Sequence, residues 1–161
     1  MSSAAFFYGT LMSPDVHTRV ICGLSSSETA KQRKLETLVF RPAILKGHRR
    51  YALKGLDYPG VIRTDKEEDQ VLGVVCEGLL PGDVKRLDAF EGDEYERRPA
   101  TVHIADNEDI QVDCQVYIWT AGNHHLEAHD WELEGFIKSK QALWLNDRCE
   151  FYMVDKLDTS A

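Results

Sequence analysis

Extended segments follow one another along most of this chain, and that succession constrains its fold more than any other feature. Ala4 to Tyr8 is an unbroken apolar run that stops at Gly9, the pattern of a buried first strand. Leu38 to Leu45, His48 to Leu53 and Val71 to Leu80 carry β-branched, aromatic or alternating apolar residues, which suit a pleated, half-buried surface. Arg97–Ile104 and Ile110–Trp119 read as two further strands, joined into a hairpin by the polar link Asp106-Asn107-Glu108-Asp109. Tyr58-Pro59-Gly60 punctuates the series as a turn. The helical stretches are short. Ser13-Pro14-Asp15 supplies a cap, a first-turn proline and an acidic residue for a helix that runs to about Cys22 and stops at Gly23. A second helix spans about Gly82 to Phe90 and closes at Gly92. A third is expected at about 130–146, with Leu133, Phe136, Ile137, Leu143 and Trp144 as an imperfect apolar stripe, before a tail that frays from Asp155. Residues 25–34 are polar and read as an exposed loop or the start of a helix. Many strands with little strand–helix alternation indicate an α+β fold, a mixed or antiparallel barrel-like sheet with peripheral helices.

The 161 residues fit one domain spanning 1–161, and 43% hydrophobic content supplies a core. Charge narrows the partners. Nineteen basic residues against 27 acidic ones leave a net charge of −8, which opposes nonspecific nucleic-acid binding and anionic membranes. No apolar run is long enough to span a bilayer, and the N-terminal residues lack a basic signal-peptide region. Cys22, Cys76, Cys114 and Cys149 are scattered without a C-x-x-C pair. Reduced thiols and a cytoplasmic setting are therefore expected, with Cys76 as a core residue.

Two constellations can carry chemistry. At Tyr8-Gly9-Thr10-Leu11 the chain turns from a buried strand into a capped helix. Gly9 can adopt backbone conformations closed to other residues. The amides of Gly9, Thr10, Leu11 and Met12 can then converge on a carboxylate or a developing oxyanion. A tight strand–helix turn without a ligand is the other reading. The second constellation is Leu87-Asp88-Ala89-Phe90-Glu91-Gly92. Val84, Leu87 and Glu91 share one helical face, so an inward Leu87 carries Glu91 inward with it. Loss of water, the negative helix end and Asp88 would all raise the Glu91 pKa, which suits a general base near neutral pH. A solvent-exposed, fraying helix end is the alternative, because glutamates are rarely buried.

Other signals carry less. His125 and His129 lie four residues apart but lack a third ligand and the H-E-x-x-H order, so no metal site is expected. No phosphate-binding glycine motif and no G-x-S-x-G elbow occurs. Arg97-Arg98 is read as pairing with acidic neighbours, and 65–69 as a solvated acidic loop.

Taken in order, Tyr8-Gly9-Thr10-Leu11, Tyr58-Pro59-Gly60, Leu87-Asp88-Ala89-Phe90-Glu91-Gly92 and Tyr95-Glu96-Arg97-Arg98 resemble the gamma-glutamylcyclotransferase-like superfamily. The branch most similar is that of the gamma-glutamylamine cyclotransferases and plant avirulence-induced-gene-like proteins. The resemblance covers roughly residues 4–119. It implies a small mixed β-barrel flanked by helices around one cavity. It implies a cofactor-independent acyltransferase, with no metal, that closes a gamma-glutamyl compound to 5-oxoproline and releases an amine or peptide. Glu91 takes the place of the catalytic acid/base, Tyr8, Gly9, Thr10 and Leu11 that of the substrate-binding loop, and Tyr95 that of a cavity-lining aromatic. The implied partner is a small-molecule substrate. Two readings stay open beside this one. The same base can serve proton transfer or cyclisation of another small molecule, or the chain can be a non-catalytic small-ligand-binding module.

Overall fold

The computed structural model describes residues 3–23, 27–56, 58–122, 125–127 and 129–131, together with Leu133, Phe136, Ile137, Gln141, Phe151, Val154, Asp155 and Leu157. Its strands are β1 (Ser3–Phe7), β2 (Val39–Lys46), β3 (His48–Ala52), β4 (Pro59–Arg63), β5 (Gln70–Leu79), β6 (Tyr95–Ile104) and β7 (Asn107–Trp119). Its helices are α1 (Pro14–Cys22), α2 (Glu28–Glu36) and α3 (Pro81–Glu91), with a 3-10 turn at Thr10–Met12. Five strands close a barrel in the order β1-β5-β2-β6-β7, and β3 pairs with β4 as a separate ribbon.

The apolar run of β1 has a direct cause. β1 pairs antiparallel with β5 on one side and parallel with β7 on the other. A strand buried on both faces needs no polar alternation. Phe6 and Tyr8 point into the barrel with Leu45, Val61, Val75, Val102 and Val116. Ala5 and Phe7 point outward to a second core with Val16, Val20, Leu79, Leu87 and Tyr117. β1 is thus the wall shared by two apolar layers, and its C-terminal end lies where both meet.

Local chemistry fixes the helices. Ser13 Oγ accepts from Val16 N at 3.4 Å and Pro14 opens α1. Gly23 and Gly92 end α1 and α3 with φ of 81° and 77°, a region that favours glycine. Asp83 accepts from the Leu80 amide at 2.9 Å and from Lys34 Nζ at 2.5 Å, which caps α3 and ties it to α2.

Of the two readings of 25–34, the start of a helix holds for 28–34, which belong to α2; none of its residues is buried, as the missing apolar stripe requires. Two expectations need correction. Tyr58-Pro59-Gly60 is not a turn alone: β4 begins at Pro59, a position where a strand tolerates a residue without an N–H. The β6–β7 turn falls at Ala105-Asp106, and Asn107 already belongs to β7. Most of the expected helix at 130–146 and of the tail from 155 lies outside the described residues. Asp155 and Phe151 are described and anchor the C-terminal segment. Asp155 receives both guanidinium nitrogens of Arg19 at 2.7 Å. Arg19 also lies 4.4 Å over the Phe151 ring. Among the described residues, no helix is long and apolar enough to cross a membrane. Cys76 and Cys114 are buried, which pushes their thiols up to about 12.

His17 is the one buried side chain with both ring nitrogens unpartnered among the described residues. It sits edge-on between Phe7 and Phe40, at ring separations of 5.0 and 5.1 Å. Burial lowers its pKa to about 4. The folded chain keeps His17 neutral while the unfolded chain protonates it below about pH 6.5, so stability present above that pH falls as the pH drops toward 4. His17→Leu should therefore flatten the acid limb of stability by up to ~3 kcal/mol between those pH values. Urea unfolding of both proteins across that range measures the difference, and parallel limbs would contradict it.

Candidate active site

The end of β1, the last turn of α3 and the start of β4 converge on one pocket of about 250 Å³. Tyr8, Gly9, Thr10, Leu11, Glu91 and Tyr95 all line it, so the structure brings every sequence-designated site residue together. Phe6, Phe7, Tyr58, Pro59, Phe90, Glu94 and Tyr117 complete much of the wall.

Leu87 is fully buried and the helical period carries Glu91 to the same side, where it is half-buried and lines the pocket. Loss of water pushes the Glu91 carboxyl up to about 8, and the neighbouring Asp88 carboxylate adds to the shift. Asp88 is itself held. Its Oδ1 accepts from Tyr117 Oη at 2.7 Å and from Arg97 Nε at 2.9 Å. Arg97 therefore pairs with an acid, as the sequence indicated, but that acid lies on α3. Arg98 pairs with Glu96 at 2.8 Å.

The tyrosines knit the walls. Tyr8 Oη donates to the Tyr117 carbonyl at 2.5 Å, and Tyr95 Oη donates to the Pro59 carbonyl at 2.6 Å. Burial first, and then nearby negative charge, raises both phenols well above their ordinary value, so they remain protonated donors. Trp119 backs Tyr95 edge-on at 5.2 Å. Phe151 stacks on Phe90 at 5.7 Å and supports the pocket wall from behind.

The loop departs from expectation at Met12. Gly9 has φ of −126° and ψ of −137°, outside the left-handed region and outside the common extended one. It is glycine because a Cβ there would lie 2.8 Å from Pro59 Cδ and 2.9 Å from Pro59 Cγ. Met12 does not offer its amide, which donates to the Gly9 carbonyl at 2.9 Å. The bonds of the 3-10 turn begin with Met12, so the amides of Thr10 and Leu11 precede its ladder, as at any helix start. Sequence reasoning missed Tyr117, Asp88 as its partner, and the lining roles of Tyr58 and Pro59. Tyr117 stood inside an alternating strand with nothing to mark it. Tyr58-Pro59 was visible as a motif but not as a wall.

The histidines singled out in the sequence lie elsewhere. The His125 and His129 carbonyls accept from the Lys54 and Ala52 amides at 2.9 and 3.0 Å. Among the described residues no cluster of three or more metal-ligating side chains occurs.

The approach of Pro59 to Gly9 yields a direct test. Gly9→Ala should lose ~1–3 kcal/mol of stability through overpacking. Pro59→Ala in the same chain should recover part of that loss, because it removes the atoms the new methyl would strike. Chemical denaturation of the double-mutant cycle measures the coupling, and strict additivity would rule out the contact as the cause.

With this geometry in hand, known proteins give it a place. The family described as Gamma-glutamyl cyclotransferase, AIG2-like, matches residues 5–133. Protein AIG2 C of Arabidopsis thaliana is 29% identical over 133 residues, covering 83% of this chain and 71% of that protein. An Arabidopsis thaliana protein solved in solution superposes with a TM-score of 0.62 at 24% identity, over 97% of this chain and 85% of that one. A gamma-glutamyl cyclotransferase structure superposes with a TM-score of 0.54 at 16% identity, over 74% and 68% of the two chains. These structural likenesses speak to the fold: a closed five-stranded barrel with flanking helices. The family match spans most of the chain and includes the strand end, the loop and the helix end that build the pocket; this chain belongs to the gamma-glutamyl cyclotransferase, AIG2-like family.

Proposed function

We propose that this protein cyclises a gamma-glutamyl compound to 5-oxoproline. The observation that carries the reading is a carboxyl with a raised pKa, Glu91, lining the same pocket as the Gly9–Leu11 amides. A gamma-glutamyl amide holds its nucleophile and its target in one molecule. Its α-amine attacks its own γ-carbonyl, the new N–C bond closes a five-membered ring, and the original amide C–N bond breaks. Holding the chain folded supplies much of the rate, since intramolecular reactions reach effective molarities of about 10⁵ M or more. The α-ammonium must first lose a proton. Ionised Glu91 accepts it and passes it to the departing nitrogen; the ring nitrogen then sheds a second proton, which the released amine takes up, so the carboxylate is restored each turn. The loop amides meet the negative end of the substrate, its α-carboxylate or the tetrahedral oxyanion. The phenols of Tyr8 and Tyr95 are already committed to main-chain carbonyls and keep the walls in place. No step calls for a cofactor.

Three measurements test this. A panel of gamma-glutamyl amines and peptides, followed for 5-oxoproline, should contain at least one substrate. Glu91→Gln should fold and turn it over about 10²–10⁴-fold more slowly. Undiminished turnover would remove Glu91 from the mechanism, and a panel without product would favour another small molecule or a binding role.

The pH profile gives the second. Only ionised Glu91 accepts a proton, so kcat/KM should rise with pH along a limb centred near its pKa of about 8. Asp88→Asn removes a negative neighbour that raises this pKa, so the limb should move to lower pH. An unmoved limb would assign it to another group. The third is thermodynamic. A raised folded pKa means that stability present below the ordinary glutamate value of 4.5 is lost as the pH climbs toward 8. Glu91→Gln should therefore raise Tm at pH 8–9 relative to the parent, and have a smaller effect at pH 4. A Tm gain independent of pH would contradict the buried charge as its cause.

A further inference from the structure

At the start of the loop lies a guanidinium clamp. Arg50 of β3 donates from Nη1 to the Tyr8 carbonyl at 2.7 Å and to the Leu72 carbonyl at 3.3 Å. Its Nε and Nη2 face the two oxygens of Asp130 at 2.7 and 3.3 Å. Arg50 is not among the residues lining the pocket, and its side chain is 15% exposed against 58% for Asp130. Asp130 arrives at the end of a segment zipped to the edge of β3. Ala52 donates to the His129 carbonyl at 3.0 Å, Lys54 to the His125 carbonyl at 2.9 Å, and Glu127 N donates back to the Ala52 carbonyl at 2.8 Å. Trp131 then places its ring 5.8 Å from the same guanidinium.

The geometry of one peptide plane gives this clamp a consequence. The peptide joining Tyr8 to Gly9 is trans. A trans peptide turns its N–H away from its C=O. Holding the Tyr8 oxygen on the guanidinium therefore fixes where the Gly9 N–H points, in the same plane and antiparallel to that C=O, and Gly9 borders the pocket. We propose that Arg50, locked by Asp130, is a positioning residue that aims the Gly9 amide at the negative end of the substrate, and that residues 125–127 and 129–130 belong to the strap that completes it. This assignment rests on the cyclotransferase reading of the pocket. Arginine is suited to the task because one planar fork reaches a carbonyl and a carboxylate together. Lysine has three donors on one compact ammonium and lacks the planar fork that spans the two partners.

The test compares the parent protein with Arg50→Met, Arg50→Lys and Asp130→Asn in Tm, in kcat/KM on a gamma-glutamyl substrate, and in amide hydrogen exchange at Gly9, Thr10 and Leu11. Arg50→Met should lose about 10–100-fold in kcat/KM and exchange faster at Gly9. Arg50→Lys should recover part of both. A lowered Tm with kcat/KM of the folded protein within twofold of the parent would make Arg50 a purely structural residue and overturn the proposal. Should Arg50→Met fail to fold, Asp130→Asn decides, because that carboxylate is more than half exposed. A severalfold loss in kcat/KM with faster Gly9 exchange supports the clamp, and parental values overturn it. If the parent releases 5-oxoproline from no gamma-glutamyl compound, the cyclotransferase reading fails by itself. Gly9 exchange then judges the clamp alone: faster exchange in Arg50→Met upholds it, and equal rates discard it.

Discussion

One contact governs the site: the ring of Pro59 occupies the space that a side chain at residue 9 would fill. It lets the start of β4 cross the end of β1 at van der Waals distance. The rest of the pocket depends on that crossing. Tyr58 arrives next to the loop because Pro59 is seated there, and the Pro59 carbonyl becomes the acceptor for Tyr95 at 2.6 Å. A short motif that looks like simple punctuation thus supplies a wall, a spacer and an anchor. The glycine of the loop is required by what lies against it.

This explains which features could be read from the chain. The strands at 39–46, 70–79 and 95–119 were legible because alternation or β-branching marks a buried face. The cap at Ser13 and the stops at Gly23 and Gly92 were legible because helix ends use local chemistry. β4 was hidden behind a proline and a glycine, and α2 behind a surface without a stripe. In the site, Glu91 could be placed inward because Leu87 sits one turn before it on the same face. The loop could be located from Gly9 and Ser13. Tyr117 and Pro59 could not, because pairing far along the chain brings them in, and nothing within a few residues announces it. The Gly9–Pro59 contact likewise belongs to two segments some fifty residues apart in sequence. The resemblance to a family supplied the link between loop and glutamate that spacing alone left open.

The acid at the centre is set by opposing demands. Burial that raises the Glu91 pKa works against folding once the group ionises. Asp88 increases the shift, and it is held in place by Tyr117 and Arg97. A carboxylate fixed by two donors is a steadier electrical neighbour than one left to water. The same tyrosine whose hydroxyl holds Asp88 offers its carbonyl to Tyr8, so β7 connects the tuning of the acid to the end of β1.

The stack of Phe151 on Phe90, with Arg19 over the far ring, reaches further than packing. Phe90 faces the cavity on one side and the C-terminal segment on the other. The shape of the pocket can therefore be changed from outside the barrel, by altering an aromatic some sixty positions downstream, while strand registers and Glu91 stay as they are. Such an arrangement lets the hollow vary in outline independently of the acid and the loop, because a different stretch of chain sets it.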